Sequence, residues 1–151
     1  MFELDSAFQP TSKALASLQL SEARLQLDAR YPWIVLIPRV AGAVELEDLA
    51  AADRAALLEE ILAAGRAVRA IGAALGRPVT KLNVGQLGNI TRQLHVHIVG
   101  RREDDLAWPG PVWGQGTAAA YEDDALAAAV EAARKTILLP SEGEGGREAV
   151  G

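Results

Sequence analysis

The sequence contains no cysteine, which excludes disulfide staples, thiolate zinc sites and cysteine nucleophiles. Histidine is almost as scarce, with 2 in 151 residues. Basic residues are outnumbered, 15 Lys and Arg against 20 Asp and Glu, for a net charge of −5. That balance argues against a general affinity for nucleic acid or anionic lipid, both of which reward basic surfaces. It leaves room for a small phosphate-bearing ligand, because a pocket can be locally positive on an acidic chain. Apolar runs such as 33–37 and 125–130 are far too short to span a bilayer. Residues 1–15 include Glu3 and Asp5 and show no basic stretch leading into an apolar one, so no signal peptide is evident. A cytoplasmic protein with no membrane or nucleic-acid partner is the expectation.

Half of the residues are hydrophobic, enough for one core in a chain of this length. A single domain is expected over 1–139, with the Gly- and Glu-rich tail 140–151 disordered. The stretch 14–29, "ALASLQLSEARLQLDA", alternates, loses phase at Glu22 and alternates again, which suggests a half-buried strand. "WIVLIP" is a continuous apolar run between prolines and reads as a buried central strand, joined to the first through "DARYP". From 46 to 75 the period changes. Leu58, Ile61, Leu62, Gly65, Val68 and Ile71 recur at spacings of three and four, Asp48 can cap a first turn, and Gly76 and Pro78 close the far end. "PVTKLNV" and "QLHVHIVGR" return to alternation across the link "GQLGNIT". An irregular Gly- and Pro-rich loop follows, and then a helix that opens with acids and ends near Arg134 and Lys135, as the helix dipole favours. This order describes an α+β fold with an antiparallel sheet.

Both histidines fall in "RQLHVHIV", residues 92–99. On a strand, Gln93, His95 and His97 share one face at a spacing of about 7 Å, with Leu94, Val96 and Ile98 on the other. Three readings of this stripe compete. It can be a solvent-facing polar row. It can be a metal site, in which Asp104 or Asp105 would have to supply the missing ligands. It can be a nucleophilic site. A neutral imidazole attacks phosphorus when its other nitrogen is held as a donor, and a second imidazole, when protonated, can stabilise phosphoryl charge. Alternation puts Arg101 on the histidine face, where it could attract phosphate, and Trp108 and Trp113 are expected to pack the long loop onto the core or a partner subunit.

The run "QLHVHIVGR" resembles the signature of the histidine-triad (HIT) family, which alternates His with apolar residues three times. "LDARYPWIVLIPR" is similar to that family's early hairpin, the long helix follows where the family has one, and "KLNVGQLGN" occupies the strand and loop before the motif. "AWPGPVWG" resembles a Trp-Pro segment found after the motif in some branches. The resemblance implies a HIT-like fold with an antiparallel sheet of about five strands, one long helix and a C-terminal helix. It implies that His95 is a nucleophile forming a nucleotidyl-histidine intermediate at the α-phosphate, and that His97 contacts phosphate oxygens or assists the leaving group. It further implies ribose binding by Asp28, phosphate or leaving-group contact by Asn83, and a nucleotide-side place for Asn89. Purine nucleoside phosphoramidates or dinucleoside polyphosphates are the implied substrates, with a homodimer, no cofactor and no metal in the hydrolytic chemistry. Gln93 stands where the first histidine of the motif would be, and it cannot titrate near neutrality. A nucleotide-binding module with little or no turnover is therefore the second expectation.

Overall fold

The "WIVLIP" run does become the middle of the sheet, and its β-branched residues are buried on both faces. In the computed structural model, which describes residues 1–140, a short helix α1 (Phe8–Thr11) leads into β1 (Ser12–Ser17) and β2 (Ser21–Gln26). Then come β3 (Trp33–Pro38), the long helix α2 (Ala51–Ala74), β4 (Lys81–Gly85), β5 (Val96–Arg101) and α3 (Asp123–Ile137). The five strands lie in the order β1-β2-β3-β5-β4, and every neighbouring pair is antiparallel. This is the expected five-stranded α+β architecture. The expected tail lies outside the described residues except for Pro140.

Alternation sorts each strand between two apolar layers. Leu25, Ile34, Leu36, Val96 and Ile98 face α2, where they meet Ala64, Ala67, Val68 and Ile71, with Ala129 and Ala133 of α3 in the same cluster. Trp33, Val35, Ile37 and Val99 point to the other side, where Phe8 and Val112 cover them and Phe2 and Leu4 pack on top. Each large aliphatic side chain fully buried here contributes about 1.5–3 kcal/mol. The helix lies very close to the sheet. A Cβ on Gly100 would sit 2.6 Å from Val79 Cγ2, 2.7 Å from Pro32 Cγ and 2.9 Å from Val68 Cγ1.

Three expectations need correction. The stretch 14–29 is two strands, and its loss of phase follows a turn at Leu18–Leu20 that reverses the chain between β1 and β2. The long helix starts at Ala51, later than the pattern suggests. Asp48 instead caps a separate 3-10 turn, Leu46–Asp48, by accepting the N–H groups of Val44 and Glu45 at 3.0 and 2.9 Å. The buried stripe of α2 is also rotated: Leu58 and Leu62 are half exposed, while Glu60 is buried with Oε2 accepting the Leu20 N–H at 3.1 Å. Alanine explains the rotation, since Ala64 and Ala67 can line a close helix–sheet contact that larger residues could not enter.

Gly100→Ala should therefore lower the free energy of unfolding by about 1–3 kcal/mol through overpacking, read as a reduced urea midpoint at unchanged slope. An unchanged midpoint would contradict the close approach of α2 to β5.

Candidate functional site

The site forms on the sheet face away from α2 and α3, where β3 and β5 run side by side with Val35 opposite His97 and Trp33 opposite Val99. β5 begins only at Val96, so Gln93 and His95 belong to the irregular link before it, not to the strand itself. The link is anchored by the Leu94 N–H, which donates to the Ala43 carbonyl at 3.0 Å. Leaving the strand brings the imidazoles closer than strand geometry implies. Their ring centroids lie 4.9 Å apart, edge to face.

Two hydrogen bonds decide which nitrogen each ring presents. His95 Nδ1 lies 2.7 Å from the Gln93 backbone carbonyl. A carbonyl oxygen only accepts, so Nδ1 carries the proton and Nε2 keeps its lone pair in the neutral ring. Trp33 Nε1 lies 3.0 Å from His97 Nδ1, and an indole N–H only donates. His97 is thereby held in the opposite tautomer, with its proton on Nε2. Burial, aided by the neighbouring His95, lowers the His97 pKa from 6.5 to about 4. At neutral pH the second imidazole is therefore an uncharged donor. The Phe8 ring stands 5.0 Å from His95, and Trp113 stands 5.6 Å from His97.

Both rings line a cavity of about 630 Å³ shared with Asp28, Arg30, Trp33, Asn89, Phe8 and Trp113. Asp28 sits where the first hairpin ends, and its carboxylate is fully engaged. It accepts Arg30 Nε at 3.0 Å and Nη2 at 2.8 Å, and it takes the backbone N–H groups of Arg30 and Ala119 at 3.1 and 3.3 Å. Burial alone would raise its pKa, but the hydrogen bonds and charge of Arg30, together with the Ala119 N–H, outweigh it and hold the carboxyl below its ordinary value. Arg30 Nη1 also donates to the Gln115 carbonyl at 2.7 Å, which ties the hairpin to the loop carrying Trp113.

Other candidates lie elsewhere. Asn83 Oδ1 accepts Arg101 Nη1 at 2.7 Å, so its side chain is spent beneath the loop and does not line the cavity. Arg101 is on the histidine face but 1% exposed, gripping Asp105 through Nε at 2.8 Å and Nη2 at 2.9 Å, between the rings of Trp108 and Tyr31. It shapes the loop and is not open to a phosphate. The Gln93 side chain turns toward the N-terminal segment, to Glu3 and Asp5. Asp104 pairs with Arg102, and among the described residues no group of three His, Asp or Glu side chains is placed to hold a metal. Trp33, Arg30 and Phe8 are the site residues that pattern reading missed. The indole N–H of Trp33 was one available signal, since a buried Trp needs an acceptor.

The lowered pKa of His97 carries a stability consequence. Between pH 6.5 and 4 the unfolded chain binds a proton at this residue that the folded chain refuses, so stability falls as pH drops through that window. The loss is on the order of 3 kcal/mol for a shift of this size. Urea titrations from pH 7 to pH 4 should show a steeper decline for the wild type than for His97→Asn. Parallel declines would contradict the assignment.

Comparison with known proteins agrees with this geometry. Residues 7–104 match the model of the HIT domain. Among solved structures, the chain is similar to a histidine triad protein from Bradyrhizobium japonicum at 38% identity and a TM-score of 0.83, covering 90% of this chain and 98% of that one. A histidine triad protein from Sinorhizobium meliloti is 36% identical with a TM-score of 0.80, covering 89% and 96%. One from Marinobacter aquaeolei is 31% identical with a TM-score of 0.81, covering 91% and 96%. No curated protein sequence matches. With its matched domain, its sheet order and its paired imidazoles, the chain belongs to the HIT domain family.

Proposed function

We propose that this protein is a hydrolase or transferase acting at the α-phosphate of purine nucleotide conjugates, either nucleoside phosphoramidates or dinucleoside polyphosphates. The observation that carries the reading is the opposed tautomers of the two cavity-lining imidazoles, one presenting a lone pair and the other an N–H. His95 Nε2 attacks the α-phosphorus, and the P–N or P–O bond to the leaving group breaks as the N–P bond forms. The leaving group departs with the bonding electrons, and an amine takes up a proton from solvent. The Gln93 carbonyl, already bonded to Nδ1–H, stabilises the positive charge that the ring acquires. Water then cleaves the N–P bond, releasing the nucleoside monophosphate and free His95. The Nε2–H of neutral His97 hydrogen-bonds a phosphoryl oxygen without the repulsion that a second cation beside the charged His95 would bring.

Asp28 and Asn89 lie on the cavity wall and are assigned to the nucleoside side, Asp28 through its hold on Arg30. Asn83 has its effect through Arg101. The protein is further assigned a homodimeric state. β4 closes one edge of the sheet, and half-exposed Val84 on it and Leu58 and Leu62 on α2 leave apolar surface that a second copy would cover.

Incubation with an adenosine phosphoramidate and with diadenosine tetraphosphate, following release of adenosine monophosphate, tests the activity. The wild type should consume at least one of them. His95→Ala should lose at least a thousandfold in rate, on the scale expected for removal of a covalent nucleophile, and should form no acid-labile nucleotidyl-protein. A wild type that binds these nucleotides and consumes neither favours the module without turnover.

A further inference from the structure

The residue that replaces the first motif histidine does its work on a segment outside the matched domain. Gln93 Oε1 accepts the Asp5 N–H at 2.8 Å, and Gln93 Nε2 donates to the Glu3 carbonyl at 2.8 Å. A carbonyl and an N–H two residues apart are the pair that the N–H and C=O of one residue on a parallel neighbouring strand would engage. The side-chain amide supplies that residue's donor and acceptor and so docks the segment 3–5 as a strand would. Both groups it holds precede residue 7, where the HIT match begins.

The docked segment then reaches the site. Asp5 Oδ1 accepts the Ala7 N–H at 2.9 Å, the chain turns into α1, and Phe8 is buried with its ring edge-on to His95 at 5.0 Å. Ala7, Phe8 and Thr11 line the cavity. At the far end the Thr11 carbonyl accepts the Leu27 N–H at 2.9 Å, next to Asp28. The segment is fastened at both ends, and Gln93 is its fastening nearest the histidines.

We propose that Gln93 is a positioning residue that clasps the N-terminal segment over the histidine link, so that Phe8 forms a fixed wall of the nucleotide cavity beside His95. This rests on the nucleotide reading above. An imidazole at position 93 would not substitute, because its two nitrogens point away from each other, whereas an amide presents acceptor and donor side by side. Gln93 therefore serves this chain's own architecture and is not a weakened catalytic histidine.

The experiment is hydrogen exchange of residues 3–11 together with steady-state kinetics on adenosine phosphoramidate for Gln93→Leu, Gln93→His, Phe8→Ala and the Gln93→Leu/Phe8→Ala double variant. Loss of the clasp should speed exchange at the Asp5 amide and raise KM by roughly tenfold, the worth of one to two net hydrogen bonds, with the loss carried by KM rather than kcat. The double variant should be little worse than Phe8→Ala alone, because Gln93 acts through that wall. Gln93→Glu keeps the shape but sets a charged acceptor against the Glu3 carbonyl in place of the donor, so it covers the case in which leucine disturbs folding. Unchanged exchange, additive losses, or a gain in kcat for Gln93→His would overturn the proposal. Exchange needs no nucleotide, so a wild type inert toward nucleotides would sink the proposed activity while the clasp is still decided.

Discussion

Two hydrogen bonds of opposite sense, from His95 to a carbonyl and from Trp33 to His97, set what the site can do. Each partner has only one possible role, so each imidazole has only one neutral tautomer available. Without them, two histidines 4.9 Å apart are interchangeable bases that would repel once charged. With them, one ring offers a lone pair and the other a proton. Burial reinforces the division by keeping His97 uncharged near neutrality.

The fold is arranged to keep those two bonds in place. β3 contributes Trp33 and β5 contributes His97, and adjacency at the centre of the sheet fixes their separation. The close seat of α2 on Gly100 holds the strands from behind. In front, the buried Arg101–Asp105 pair shapes the loop after β5, and the Asp28–Arg30 pair ties it to the first hairpin. An ion pair this buried contributes little net stability against its desolvation cost, so its value here is positional. The N-terminal segment completes the enclosure, with Gln93 serving both sides: its carbonyl orients His95 and its amide holds residues 3–5.

Much of this was legible in the sequence, for identifiable reasons. β3 was readable because a strand buried on both faces must be continuously apolar, and α3 because its charges follow the helix dipole. His95 and His97 were singled out by scarcity and spacing. The turn between β1 and β2 was hidden because Leu18 and Leu20 extend the alternation through it. The stripe of α2 was misplaced because leucine and alanine are both apolar, and only packing distance selects alanine for the sheet side. The destinations of Asn83, Arg101 and Gln93 were invisible because their partners lie 18, 4 and about 90 positions away, and alternation gives the face of a residue but not its partner. Both phenylalanines fall in the first eight residues, a clue that the segment has something to bury.

The central claim concerns protons, and it is read most directly by nitrogen-15 NMR of the two imidazoles at neutral pH. His97 should show a protonated Nε2 and a bare Nδ1, unchanged on titration down to about pH 5, and neutral His95 should show the reverse pattern. A His97 that carries its proton on Nδ1, or that becomes cationic above pH 6, would contradict the account.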